Sequence, residues 1–153
     1  ASSPGSASPL YAVKAGAKGD ISLKAGAKSN EFVTWFRTGS GPGMASPLVV
    51  GSYLYVPGDG GLSCHDLTTG ERKYKERLPR AKMTAASPFA AAGKIYLTDE
   101  SGQTFAVKAG PEFDVVGVNK LGADGEVFWA SPAVAGPDLF VRGTDYLYCV
   151  RAR

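Results

Sequence analysis

The tripeptide Ala-Ser-Pro recurs three times at nearly constant spacing, and each copy opens a similar segment. The copies begin at Ala45, Ala86 and Ala130, so their serines are 41 and then 44 positions apart. A repeat of about 40–45 residues is the length of a four-stranded β-propeller blade. The spacing therefore predicts a repeat protein built from such blades.

Each repeat contains three short apolar segments separated by turns that carry Gly or Asp, as in residues 47–65. This pattern is typical of an antiparallel meander. A fourth strand is predicted at about 72–78 and again at about 113–120. Many segments, such as 53–56, are apolar on both faces, which requires that neighbouring blades cover both. No segment has sustained helical periodicity, so we expect an all-β fold with almost no helix.

The N-terminal region departs from the repeat. Ser8 lies in a further Ala-Ser-Pro, but residues 10–16 match 104–110, which form a third strand and not a first. The chain is thus expected to start with a third strand and a fourth strand at about 31–37, separated by an insertion that adds a short strand at 20–23. The predicted organisation is one partial propeller of about three to four blades: an incomplete blade at 8–37, blades at 45–78 and 86–121, and an incomplete blade at 130–153 that lacks its fourth strand.

Such an open arc would expose apolar blade faces and unpaired strand edges, which monomeric proteins rarely leave bare. Two kinds of partner would cover them. One is a second copy, in a homo-oligomeric ring that closes through a composite blade made from the first two strands of the last repeat and the two N-terminal strands. The other is the remaining blades of a parent propeller.

Composition excludes several functional classes. The chain is 44% hydrophobic and 20% charged, as in soluble globular proteins. Its net charge is only +3, and glutamates interrupt the one cluster of basic residues at 71–77, so we do not expect a nucleic-acid partner. No apolar run approaches the ~18–20 residues of a membrane span, and none is predicted.

The two cysteines, Cys64 and Cys149, occupy matching positions in two different repeats. Matching positions two blades apart should lie far beyond the ~7 Å limit for the Cα atoms of a disulfide. We therefore expect both to be reduced, buried packing residues. No Cys/His cluster predicts a metal site.

Candidate catalytic groups are few. His65 and Asp66 are adjacent on a strand, so their side chains should point to opposite faces and not meet. Asp59 and the segment 99–102 are typical of tight hairpins and lack the spacing of a calcium loop.

The three repeat serines have no histidine base and are predicted to hydrogen-bond to backbone near the central axis. A ligand or partner, if one binds, is expected at the mouth of the central channel. The residues predicted to line that mouth are Met44, Ser46, Met83, Ser87, Trp129 and Ser131.

Several segments together carry a resemblance: the Ser-Pro first strands, the second strands at 53–56 and 94–97, and the segment 61–71 with Asp66 and its Thr-Gly turn. The sequence resembles the PQQ-like (quinoprotein dehydrogenase-like) β-propeller repeats over most of residues 8–153, and it looks like a C-terminal part of such a propeller. In that family a tryptophan after the turn packs neighbouring blades. The resemblance implies this packing role for Trp35 and Tyr74, which join Cys64 and Cys149 as the predicted blade-packing residues.

The quinone-dependent enzymes of this fold require PQQ, a calcium ion and an aspartate base, and many have a vicinal disulfide. No position here matches those groups residue by residue. We therefore expect a non-catalytic scaffold, with no cofactor or metal, that self-assembles or binds proteins. The family includes outer-membrane assembly factors of bacteria, so the resemblance implies a periplasmic or secreted location. The alternative is a portion of a PQQ- and calcium-dependent oxidoreductase whose catalytic residues lie on other blades.

Overall fold

The fold is all-β, as predicted. A computed structural model describes residues 8–151, and this part of the chain contains strands and turns but no helix. It also contains no helix long and apolar enough to cross a membrane. The strands are β1 (Leu10–Val13), β2 (Val33–Arg37), β3 (Leu48–Val50), β4 (Tyr53–Gly58), β5 (Gly61–Asp66), β6 (Arg72–Arg77), β7 (Phe89–Ala91), β8 (Lys94–Thr98), β9 (Gln103–Lys108), β10 (Val115–Lys120), β11 (Ala133–Ala135), β12 (Asp138–Arg142) and β13 (Leu147–Arg151).

These strands form four antiparallel sheets in chain order, which we call the first to fourth blades. The first blade is β1-β2, the second is β3-β4-β5-β6, the third is β7-β8-β9-β10 and the fourth is β11-β12-β13. Within each blade consecutive strands pair antiparallel, so each blade is a meander, and only the first blade has a long connection, at residues 14–32. The described chain is a partial β-propeller with two four-stranded blades between two smaller ones.

The core lies between the blades. Tyr55, Leu62 and Cys64 of the second blade pack with Ile95 and Phe105 of the third blade in one buried cluster. Burial of each large side chain contributes roughly 1.5–3 kcal/mol. The packing of the third blade on the second requires one face of each sheet to be apolar.

The opposite face of the second blade is covered as well. Leu54 and Val56 project there, because side chains alternate along a strand, and they pack with Leu10 and Trp35 of the first blade. The strands β4 and β5 are therefore buried on both faces, which explains why β4 is apolar throughout instead of alternating.

The predicted short strand at 20–23 is wrong, since residues 14–32 contain turns and irregular backbone only. The Asn30 side chain organises this segment instead. Its Nδ2 donates to the carbonyl oxygens of Ile21 and Ser22, both at 3.2 Å. Its Oδ1 accepts from the backbone N–H groups of Phe32 and Val33 at 2.9 and 2.7 Å. One side-chain amide thus satisfies backbone groups that a neighbouring strand would otherwise pair.

Candidate functional site

The three repeat serines link the inner edges of successive blades. The Ser87 hydroxyl oxygen accepts from the backbone N–H of Ser46 at 2.9 Å. The Ser131 hydroxyl oxygen accepts from the backbone N–H of Ser87, also at 2.9 Å. The prediction that these serines bond to backbone is confirmed for Ser87 and Ser131. The arrangement ties the second, third and fourth blades together in sequence and supplies no activated nucleophile.

The loops before the innermost strands carry the other residues of the predicted channel mouth. Met44, Met83 and Trp129 are all exposed. Trp129 lies beside a cavity of about 360 Å³, which Arg142 and Thr144 also line. The β8–β9 turn bridges two of these loops, because the Glu100 N–H donates to the Met83 carbonyl at 2.9 Å and the Glu100 carbonyl accepts from the Phe128 N–H at 3.0 Å. A binding site at the mouth stays a prediction.

His65 is fully buried and bonds at both ring nitrogens. Its Nδ1 lies 3.3 Å from the Gly70 carbonyl oxygen, and its Nε2 lies 3.3 Å from the Ser63 hydroxyl. Burial lowers the pKa of His65, so the ring is neutral near pH 7. The Ser63 hydroxyl also donates to the Val56 carbonyl at 3.3 Å, so the ring belongs to a hydrogen-bonded cluster within its own blade.

The Asp66 carboxylate points away from that histidine. Its Oδ1 accepts from the N–H groups of Thr68 and Thr69 at 3.0 and 2.8 Å and from the Thr69 hydroxyl at 3.0 Å. The prediction that His65 and Asp66 do not meet is confirmed. Sequence reasoning missed the contact between His65 and Ser63, although residues two apart on a strand share a face.

Asp99 is a second buried polar residue, and it closes a hairpin. Its Oδ1 accepts from the N–H and hydroxyl of Ser101 at 2.9 and 2.8 Å and from the Gln103 N–H at 3.0 Å. Its Oδ2 accepts from the Lys82 N–H at 2.9 Å, in the loop that enters the third blade. These donors engage the carboxylate in the way expected of a tight hairpin.

Glu126 is a buried carboxylate that the sequence did not single out. Its Oε1 accepts from the N–H groups of Asp145 and Tyr146 at 3.4 and 3.3 Å, and its Oε2 accepts from the Tyr148 hydroxyl at 2.5 Å. Although burial opposes ionisation, these hydrogen bonds hold the pKa of Glu126 below its usual value. The hydrogen bond to Glu126 raises the pKa of the Tyr148 hydroxyl to about 12. Gly143 leaves room for this carboxylate, because a Cβ there would collide with it.

Trp35 joins the first blade to the Thr-Gly turn of the second. Its indole Nε1 donates to the Leu67 carbonyl at 2.9 Å. Arg37, on the same strand, donates from Nε to the Gly70 carbonyl and from Nη2 to the Thr69 carbonyl, both at 3.0 Å. A Cβ at Gly70 would lie 2.5 Å from the indole ring, so this turn needs glycine.

Tyr74 lies on the outer strand of the second blade and is buried. Its ring meets Phe113 edge-on, with centroids 5.3 Å apart. Phe113 itself packs against the cluster shared by the second and third blades. Burial raises the pKa of the Tyr74 hydroxyl, which has no hydrogen-bond partner among the described residues.

The two cysteines are both free but differ in environment. Cys64 is buried, its sulfur lies 3.6 Å from the Gly110 carbonyl oxygen, and burial raises its pKa to about 11. Cys149 is exposed, so the prediction that it is buried is wrong. The physical reason is that no other described strand packs over that face of the fourth blade.

Comparison with solved structures identifies the fold. BamB from Moraxella catarrhalis is similar, with a TM-score of 0.64 at 17% identity over 78% of this chain. The quinohemoprotein alcohol dehydrogenase from Pseudomonas putida gives a TM-score of 0.60 at 16% identity over 73% of this chain. A europium-containing methanol dehydrogenase gives 0.55 at 21% identity over 69%. The chain has the fold of PQQ-like β-propellers.

This partial propeller is short beside its structural neighbours. It spans 37% of BamB, 19% of the alcohol dehydrogenase and 22% of the methanol dehydrogenase. No protein-family model matches the sequence, and no curated protein matches it either. The likeness therefore defines the fold, and the function has to be argued from the residues.

Proposed function

We propose that this chain is a non-catalytic portion of a β-propeller scaffold, which acts by presenting blade faces and loops to other protein surfaces. One observation carries the proposal: the buried histidine and the buried carboxylates Asp99 and Glu126 hold the fold together. His65 bonds within its own blade, Asp99 closes a hairpin, and Glu126 fixes a turn to the preceding loop. A catalytic group would instead have to reach a substrate in a cleft.

The fold alone supports no activity, because propellers of this type include both enzymes and proteins of other kinds. A scaffold role requires only shape, exposed surface and stable blade junctions. The resemblance also implies a periplasmic or secreted location, and we include this location in the proposal. Fractionation of the source cells tests it.

Cofactor binding is the direct test of the non-catalytic role. The purified chain is dialysed against PQQ with Ca²⁺, and retained quinone is measured by its absorbance together with alcohol-dependent dye reduction. We expect neither retained quinone nor dye reduction. An apo-quinohemoprotein alcohol dehydrogenase, treated in the same way, is the positive control. Equimolar retention of quinone by this chain alone would overturn the proposal.

The second candidate is a portion of a quinone-dependent oxidoreductase. The likeness to the two dehydrogenases favours it, and their greater length leaves room for catalytic residues on blades outside this chain. Its test is reconstitution: the chain is mixed with the remaining blades of a parent protein, and activity is measured with PQQ and Ca²⁺. Activity that depends on this chain supports the oxidoreductase, whereas binding without activity supports the scaffold.

A further inference from the structure

The outer face of the fourth blade repeats a surface that is buried elsewhere in the molecule. In the second blade Tyr55 pairs in register with Cys64, and in the fourth blade Phe140 pairs in register with Cys149. Leu62 and Leu147 each precede the cysteine by two residues, so each lies on the same face as its cysteine. The two blades thus present equivalent sets of an aromatic ring, a leucine and a cysteine.

The environments of these two sets differ sharply. Tyr55, Leu62 and Cys64 are fully buried against the third blade. Leu147 is 68% exposed, and Cys149 is exposed as well. Within residues 8–151 nothing covers this face of the fourth blade, which we call the open far face (Phe140, Leu147 and Cys149).

The first blade presents the complementary surface. Residues 10–16 match 104–110, so Tyr11 and Val13 correspond to Phe105 and Val107 of the third blade. Phe105 and Val107 are fully buried because the second blade packs on them. Tyr11 is 49% exposed and Val13 is 48% exposed, and the Tyr11 ring stacks on Phe36 with centroids 4.7 Å apart. Tyr11, Val13 and Phe36 form what we call the open near face.

We propose that the open far face of one chain packs on the open near face of a second copy, head to tail. The occupant is a second copy because this chain carries both halves of the contact. The junction between its own second and third blades shows how the equivalent side chains pack, although Phe140 lacks the hydroxyl with which Tyr55 accepts from the Gly110 N–H. Such a contact is heterologous and builds a ring or a chain of copies. The inference rests on the proposed scaffold function and names its partner.

The internal junction also gives the expected geometry. The Cys64 sulfur lies 3.6 Å from the Gly110 carbonyl oxygen, and the Tyr55 hydroxyl accepts from the Gly110 N–H at 2.7 Å. Gly16 corresponds to Gly110 in the matched segments. In the proposed contact Cys149 therefore faces the turn at Ala15 and Gly16 of the second copy.

Disulfide trapping tests this geometry. The variant Ala15→Cys places a thiol in an exposed turn, next to the predicted position of Cys149 from another copy. Mild oxidation is expected to give a ladder of dimers, trimers and larger species on a non-reducing gel, because each chain then carries both reacting thiols. The matched control is Ala25→Cys, in another exposed turn of the same region. Equal cross-linking of the two variants, or dimers alone through Cys149 in the unmodified chain, overturns the proposal.

Charge substitution tests the pairing of the two faces independently. Leu147→Asp and Tyr11→Arg each place a charge on one face, and both side chains are largely exposed, so the fold should survive. Each single variant is expected to sediment at the monomer mass of 15.9 kDa. The double variant should recover the larger mass of the unmodified chain, since the two charges attract across the contact. Val118→Asp, at a site 47% exposed on the third blade, is the control and should not change the mass.

Two results would contradict the inference: an unmodified chain that is monomeric, or a Tyr11→Arg variant that assembles as well as the unmodified chain. The second result would indicate pairing of two far faces. Neither result bears on the non-catalytic role, which the quinone-retention measurement decides separately. Circular dichroism of each variant confirms that its β structure is intact.

Discussion

His65 shows how a single residue can report on the folded state. It is the only histidine of the chain, and its ring is enclosed between Ser63 and Gly70. Burial is the largest cause of its lowered pKa, and the positive charges of Arg72, Arg37 and Lys75 add to the effect. The folded chain therefore holds this ring in its neutral form more strongly than the unfolded chain does.

This difference predicts a pH dependence of stability. Because the pKa is lower in the folded state, the unfolded chain takes up the proton first as the pH falls below about 6.5. The contribution of His65 to the free energy of unfolding is complete above that pH. It decreases as the pH falls towards the pKa of the folded state, by at most about 1.4 kcal/mol per pH unit. Urea denaturation between neutral and mildly acidic pH measures it. His65→Gln should remove the slope, and an unchanged slope in that variant would assign it to other groups.

Gly70 gives a second prediction at this scale. Its φ is +68°, and a Cβ there would lie 2.5 Å from the Trp35 ring. Gly70→Ala should therefore cost the backbone strain of a positive φ, about 1 kcal/mol, together with displacement of the indole. Gly26→Ala is the matched control, since Gly26 has φ +79° and nothing within 4 Å of a Cβ. Urea midpoints compare the two variants, and equal losses would show that Trp35 adjusts freely.

At the scale of elements, the positions of the strands were predictable from the apolar segments and from the turn residues between them. The burial of each strand was less predictable, because it depends on which neighbouring blade packs against the sheet. The spacing of Gly- and Asp-bearing turns located the hairpins of the second and third blades. The pattern at 20–23 failed because Asn30 satisfies that backbone without a partner strand. The predicted burial of Cys149 is wrong because its position matches that of Cys64 in the repeat but no described strand covers it.

The candidate site was less predictable than the strands, since it depends on contacts between distant segments. The serine links followed from the repeat, because equivalent residues on adjacent blades come close at the axis. The role of Glu126 depends on a turn about twenty residues away, at Asp145 and Tyr146. Nothing in the local sequence around Glu126 indicates that contact.

Glu126 supports a prediction about local order. Removal of its carboxylate in Glu126→Ala should free the N–H groups of Asp145 and Tyr146, so the turn before β13 should open more often. Amide hydrogen exchange is expected to speed up at those two residues and to stay unchanged in β4 (Tyr53–Gly58). Exchange that speeds up equally in β4 would indicate global destabilisation instead of a local anchor.

At the scale of the molecule, the second blade is packed on both faces by its neighbours, whereas the far face of the fourth blade and the near face of the first blade are exposed. Apolar patches of this kind mark interaction surfaces in soluble proteins. We propose that both surfaces bind further copies of the chain, through the residues of the first and fourth blades named above. In the proposed scaffold, His65, Asp99 and Glu126 stabilise the fold, and the surface carries the function.

The mass of the chain in solution tests this account most directly. Sedimentation equilibrium of the unmodified chain at micromolar concentration should give a multiple of 15.9 kDa that declines on dilution. Leu147→Asp should give the monomer mass at the same concentration. A well-folded unmodified chain that stays at 15.9 kDa across the whole concentration range would contradict the account.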